Sequence, residues 1–266
     1  MRFFSQSANS IVAIHGTASV GSQWQSLSEA MAPEYTVLRP DLPGYGLAFA
    51  NGIRANSTMA AEASHVARLI SLHSDGPIHV VGHSFGGAVA LKLAMTQPDM
   101  IASLTLIEPA VFHILRAQGS QDDRNAYREI QDLWRTLGSD GMQSFVDYWN
   151  GVGTWQQLKP TLQVRLSDQV ESAGRNFQAA LAENWSVEAC TQITCPTLVI
   201  RGRASRRPAL RASALIADAI PGARVEEIAG AGHMAPITHA DVTNQMIGEH
   251  IVSIDQCTKE NSSKAA

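Results

Sequence analysis

The sequence predicts an α/β fold in which a mostly parallel sheet is covered by helices on both faces. Three observations carry this reading. Short apolar, β-branched runs alternate with amphipathic stretches along most of the 266 residues, the pattern of strands joined by crossover helices. At one junction, Gly82-His83-Ser84-Phe85-Gly86-Gly87, a serine sits between glycines where a strand turns directly into a helix. The third is composition: 45% hydrophobic residues give a chain of this length enough apolar side chains for one sizeable core.

The first strand is expected over Ser10–Ile14, leading into His15-Gly16-Thr17 and then Trp24, a core residue of the following helix. The second, Thr36–Arg39, precedes a turn in which Asp41 should bond nearby backbone amides. The third, Ile78–Val81, runs into the Ser84 turn. Only neighbours without side chains tolerate so sharp a bend, which leaves the hydroxyl exposed and the N–H groups of the helix start able to meet a developing negative charge. Such a serine is a candidate nucleophile for acyl transfer; a tight structural turn is the alternative. The fourth strand, Leu104–Ile107, ends at Glu108.

Residues 110–192 are helical in pattern and hold Trp134, Trp149, Trp155 and Trp185. The fifth strand, Thr197–Ile200, is followed by Arg201, Arg203, Arg206, Arg207 and Arg211. That cluster is either a site for a substrate carboxylate or phosphate or a solvated face. The sixth strand, Arg224–Ile228, precedes Gly230-Ala231-Gly232-His233, whose glycines let an imidazole approach another strand end. His233 is therefore the expected general base. His65, His73 and His250 are read as solvent-facing helical positions, His79 as alternating within a strand, and His83 as filling the variable position of the serine turn. Residues 256–266 read as a disordered tail.

In order and spacing these stretches resemble the α/β-hydrolase superfamily. The motifs are His15-Gly16 with Trp24 downstream, Arg39-Pro40-Asp41-Leu42-Pro43-Gly44-Tyr45-Gly46, the Ser84 turn, Leu104-Thr105-Leu106-Ile107-Glu108-Pro109, Pro196-Thr197-Leu198-Val199-Ile200-Arg201-Gly202, and Gly230-Ala231-Gly232-His233. The likeness is strongest to small capped bacterial members, among them carboxylesterases, lactonases, C–C bond hydrolases, cofactor-free haloperoxidases and haloalkane dehalogenases. It implies Ser84 as nucleophile, His233 as base, and an oxyanion hole formed by the backbone N–H groups of Thr17 and Phe85. It also implies a hydrolase core of residues 1–109 and 193–255 with a helical cap, 110–192, over the nucleophile. Aromatic residues of that cap, Trp149 and Trp155 first, are then candidates for the substrate pocket. Neither a cofactor nor a metal is implied.

Two departures from the superfamily pattern stand out. Most members carry a β-hairpin before the His-Gly strand, and little precedes Ser10 here, so the sheet is expected to lack its first one or two strands. The usual acid is an aspartate three residues after Gly202, where this chain has Ser205, and no carboxylate occurs between Gly202 and Ala217. A histidine base without an acid loses its preferred tautomer and the stabilisation of its imidazolium. Glu108, at the end of the strand beside the nucleophile's, is the candidate replacement, as certain dehalogenases keep their acid there. Relatives that retain the aspartate also carry a glutamate at this point, which leaves an enzyme without a triad acid open. Ser205, a neutral hydroxyl, is expected to take no part.

A net charge of −4 argues against nucleic acid as a partner. Cys190, Cys195 and Cys257, an odd number without histidines at ligand spacing, suggest neither a zinc site nor a disulfide framework. The start lacks the pattern of a signal peptide, and no apolar run approaches the ~20 residues of a membrane span. A cytosolic enzyme acting on a small molecule is expected. The function implied is hydrolysis of a small, fairly apolar carboxylic ester or lactone through an acyl-enzyme. C–C bond hydrolysis or cofactor-free perhydrolysis on the same triad, and a catalytically weak ligand receptor, are the alternatives.

Overall fold

The computed structural model describes residues 9–117 and 120–265. Six strands, β1 (Ser10–Ile14), β2 (Thr36–Leu38), β3 (Ile78–His83), β4 (Ile101–Ile107), β5 (Thr197–Gly202) and β6 (Arg224–Ile228), form one sheet in the order β2-β1-β3-β4-β5-β6. Every neighbouring pair is parallel. β3, Ile-His-Val-Val-Gly-His, is buried at all its positions, as a central strand covered on both faces must be. β6, with three charged residues in five, is mostly exposed at the edge. Alternation along the strands sorts their side chains between the faces. Val12, Ile14, Val80, Leu104 and Leu106 belong to one apolar cluster, while Ile11, Ala13, Val81, Ile107 and Ile200 join Trp24, Leu27 and Ile251 in the other.

Crossover helices α1 (Gln25–Met31), α2 (Gly46–Ala50), α3 (Met59–His73) and α4 (Phe85–Thr96) connect the first four strands. Between β4 and β5 the chain leaves the sheet for α5 (Gln121–Asp140), α6 (Met142–Asn150), α7 (Thr154–Gln157), α8 (Pro160–Ser167) and α9 (Val170–Leu181). Gly141 at φ +65 and Gly151 at φ +107 make the breaks on either side of α6, where a side chain would strain the backbone. Ile130, Leu137, Val146, Trp149 and Phe177 from this insertion join the cluster on the α4 side of the sheet. α10 (Arg207–Ala219), α11 (Ala235–Thr238) and α12 (Ala240–Ala265) complete the chain.

Two expectations need correction, and a third point left open is decided. α12 continues through Ala265, so the segment read as a disordered tail is helical as far as it is described. Nothing between Asp255 and Ala265 is a Gly or Pro that would stop a helix, and the Tyr35 hydroxyl, donating to Asp255 Oδ2 at 2.6 Å, fastens its middle. His250 is buried instead of solvent-facing, because Ile247, His250 and Ile251, spaced three and four apart, share the face that α12 lays on the sheet. Each arginine of the cluster lies against a carboxylate, two of them sharing one. Arg201 and Arg203 pair with Glu227, Arg207 with Asp122 and Arg211 with Asp123, while Arg206 lies over the Tyr148 ring near Glu129. It is a solvated face, not an open anion site.

Residues 1–8, where any shortening of the sheet would fall, lie outside the described residues. Among the described residues no helix is long and apolar enough to cross a membrane.

Candidate active site

Parallel pairing puts the C-terminal ends of all six strands along one edge of the sheet, and the winding reverses between β1 and β3, opening a crevice at that edge. Ser84 stands there with φ +52 and ψ −117, outside the regions open to most side chains. A Cβ on Gly82 would come within 2.4 Å of Gly86 O, and one on Gly86 within 2.4 Å of Ile14 O. Those glycines are what allow the turn. The Ser84 N–H donates to Ile107 O at 2.9 Å, tying the turn to β4. Gly16, after β1, packs so closely that an added Cβ would lie 3.2 Å from Ser84 Cβ. Thr17 is thereby brought beside the serine, and it lines with Phe85 a small chamber at the hydroxyl.

The loop after β6 carries His233, whose Nε2 lies 2.9 Å from Ser84 Oγ and whose Nδ1 lies 2.6 Å from Glu108 Oε2. Glu108 follows β4 at φ +44, a second strained non-glycine position at this edge. Its Oε1 accepts the Gly202 N–H at 2.8 Å, and its Oε2 also accepts the Ser205 hydroxyl at 2.6 Å. Burial alone would push this carboxyl up. The bonds from His233, Ser205 and Gly202 outweigh burial and hold it below the usual carboxylate range. An ionised carboxylate can only accept, so the proton of the neutral imidazole sits on Nδ1 and the Nε2 lone pair faces the Ser84 hydroxyl.

Ser205 is therefore no bystander. It lies three residues after Gly202 and bonds the carboxylate that also meets His233. A Cβ on Gly202 would fall 2.3 Å from Ala231 O, and the Ala204 N–H donates to that carbonyl at 2.8 Å, so the loops after β5 and β6 are locked together. His83 also does more than fill a position. Its Nε2–H donates to the His233 carbonyl at 2.9 Å and its Nδ1 accepts from Gln23 Nε2 at 3.1 Å, while Gln23 Oε1 accepts the Gly16 N–H at 3.4 Å. Beyond its place next to Ser84, no sequence signal marked His83.

Of the two tryptophans expected at the pocket, the structure brings one. Trp149 stacks on the His233 imidazole, with centroids 3.9 Å apart and planes at 28°, and lines the space above Ser84. Trp155 lines neither space at the serine and packs half-buried on the apolar cluster. From this segment it is Thr154, at the start of the short α7, and Leu158, just past its end, that reach the cleft. That cleft has a volume of about 670 Å³ and runs between the segment after β1, the helical insertion and the His233 loop. Asp41 behaves as expected, accepting the Gly21 and Leu47 N–H groups, each at 2.7 Å. Trp24 is buried in the core.

The sequence matches the Alpha/beta hydrolase family over residues 11–246. The chain belongs to this family. It is 43% identical over 101 residues to the lipase LipV of Mycobacterium tuberculosis, a match covering 38% of this chain and 37% of that protein. It is 28% identical over 253 residues to the dihydrolipoyllysine-residue acetyltransferase component of the acetoin cleaving system of Cupriavidus necator, covering 92% of this chain and 64% of that one. The chain thus spans less than two thirds of the length of either relative. Among solved structures it superposes on the enol-lactonase from Burkholderia xenovorans LB400 with a TM-score of 0.69 at 20% identity, over 92% of each chain, a likeness of fold.

Two histidines of this family member sit beneath the site without charge. Burial lowers the pKa of His15 to about 4; burial, and then proximity to His233, lowers that of His83 to about 3. The unfolded chain protonates these imidazoles near their ordinary value of about 6.5, so it binds protons that the folded chain refuses. Stability should therefore fall as pH drops below about 6.5, by about 1.4 kcal/mol per unit for each such histidine until its folded value is reached. Thermal unfolding between pH 7 and 4.5 checks this. A Tm flat over that range would contradict the neutral assignment.

Proposed function

We propose that the protein is a serine hydrolase that cleaves a small, fairly apolar carboxylic ester or lactone through an acyl-enzyme. The observation that carries the reading is the continuous line of bonds from Ser84 Oγ through His233 to Glu108. His233 Nε2 takes the Ser84 proton as the oxygen attacks the carbonyl, and the developing oxyanion sits against the N–H groups of Thr17 and Phe85. His233 then returns the proton to the leaving alkoxide. A water, deprotonated by the same nitrogen, attacks the acyl carbon and releases the acid and free Ser84. The mostly apolar lining of the cleft and the likeness to a lipase and an enol-lactonase support an ester or lactone. The intact line of bonds favours catalysis over a ligand receptor.

Residues 110–192 act in this reading as a cap. Trp149 on α6 lies on the face of the base, where its ring favours the imidazolium formed in the transition state. Trp149→Leu should lower kcat on every ester by roughly 3–30-fold, the span given by ~0.5–2 kcal/mol for such a contact. Trp155→Leu should leave the ranking of acyl chain lengths unchanged. An unchanged kcat with an altered ranking for Trp149→Leu would make that residue a pocket wall only.

An active-site-directed fluorophosphonate tests the proposal. It should label the wild-type chain and not Ser84→Ala, and p-nitrophenyl esters of graded length should be cleaved. A folded wild-type protein that takes no label would overturn the reading.

A further inference from the structure

α9 turns a largely apolar face inward, with Ala173, Phe177, Ala179 and Ala180 buried around a single amide, Asn176. Asn176 is 1% exposed. Its Oδ1 accepts the Thr17 hydroxyl at 3.2 Å and the Tyr45 hydroxyl at 2.5 Å. The Ala18 N–H and the Thr17 side chain lie near the Tyr45 oxygen, and the Tyr45 proton goes to the Asn176 amide oxygen. The amide nitrogen, Nδ2, is left without a partner among the described residues. A buried donor left unmade is costly, and an apolar residue of similar size would avoid the cost. A buried donor without a partner, on a residue that lines a chamber beside the nucleophile, points to a ligand.

Asn176 lines the chamber of about 20 Å³ beside Ser84, together with Thr17, Phe85 and the apolar Ala110, Phe112 and Phe177. Ser84 opens both to this chamber and to the cleft of about 670 Å³. An ester seated on Ser84 therefore places one half in each space. His233 decides which half goes where, because it lines the cleft and not the chamber, and the leaving oxygen must lie within reach of the group that protonates it. The alcohol occupies the cleft, and the chamber, with room for little more than one small group, takes only the first atoms of a short acyl chain.

On the serine-hydrolase reading above, we propose that Asn176 Nδ2 donates to an oxygen of the acyl half of the substrate. The preferred ester then has a short acyl group bearing a hydrogen-bond acceptor, an ether, keto or hydroxyl oxygen, within one or two atoms of the reacting carbonyl. A site built to bond such an oxygen discriminates against the carbon analogue that leaves the donor unpaired.

p-Nitrophenyl methoxyacetate and p-nitrophenyl butyrate differ by one oxygen in place of a methylene. Each kcat/KM is divided by the rate constant for hydroxide hydrolysis of the same ester, which removes intrinsic reactivity. Wild type should favour the methoxyacetate by about tenfold, the effect of about 1.4 kcal/mol. Asn176→Leu removes both donor and acceptor, and Asn176→Asp, assayed at a pH where its carboxyl is ionised, removes the donor while keeping an acceptor for Thr17 and Tyr45. In either variant the corrected ratio should fall to within about twofold of one. Loss of folding or of anchoring lowers both substrates together and leaves the ratio alone. A wild-type ratio near one, or a preference that survives in a folded variant, overturns the inference while the hydrolase stands. Failure of wild type to cleave either ester overturns the hydrolase reading and this inference with it.

Discussion

Glu108→Gln is expected to lower kcat by roughly 10³–10⁴-fold with the fold preserved. All three groups around the carboxylate are donors: His233 Nδ1–H, the Ser205 hydroxyl and the Gly202 N–H. A glutamine offers one oxygen and one NH₂, so an N–H is turned toward a former donor. If that donor is His233, its proton moves to Nε2, and the nitrogen that should take the Ser84 proton already holds one. Ser205→Ala in the wild-type background removes one of three donors and should cost only several-fold in kcat, since Gly202 and His233 still hold the carboxylate. Ser205→Asp in the Glu108→Gln background should return part of the rate, because position 205 already reaches the same oxygen that meets His233. Steady-state kinetics on one good ester checks all three. Glu108→Gln retaining more than a tenth of wild-type kcat would remove Glu108 from the triad.

Ser84→Ala and His233→Ala should each abolish nearly all turnover, by up to about 10⁶-fold in kcat, and the double variant should be no worse than either single one. The reason is geometric. With Ser84 Oγ and His233 Nε2 2.9 Å apart, neither does its part without the other, so the second deletion removes nothing further. Alanine has the same Cβ as serine at φ +52, so Ser84→Ala adds no backbone strain and its Tm should stay near wild type. Losses that multiplied in the double variant would mean that the two residues act separately.

Much of the site was legible because its backbone needs glycine. The Ser84 turn announces itself by Gly82 and Gly86 at the end of an apolar run and the His233 loop by Gly230, at φ +75 after the charged β6, and the register of β3 against β4 then puts Glu108 beside them. Glu108 itself could be reached through the resemblance, which expects the acid at position 205, where this chain has serine, and allows one after β4 instead. What could not be read are contacts between segments far apart in the chain whose residue types carry no local signal. The Ser205 bond to Glu108, the His83 bond to the His233 carbonyl and the anchoring of Asn176 by Thr17 and Tyr45 are of this kind. Trp149 and Trp155 were indistinguishable in sequence, since their separation depends on the rotation of α7 relative to α6. His250 was misjudged because the pattern of α12 is only weakly amphipathic, and the tail because polar residues such as Asn261 and Ser262 are compatible with either helix or disorder.

The Ser205 hydroxyl lies 2.6 Å from a Glu108 oxygen, and this limits which residues position 205 can carry. A chain carrying aspartate at 205 and glutamate at 108 would hold two carboxyls within bonding distance of each other. Like charges so close cannot both ionise, and the pair would keep one proton between them at neutral pH. One negative charge would still face the imidazole, so such a double carrier remains a working catalyst. Serine at 205 supplies from its own hydroxyl the bond that the shared proton of such a pair would make, so the Glu108 oxygen meets two donors with no second charge beside it.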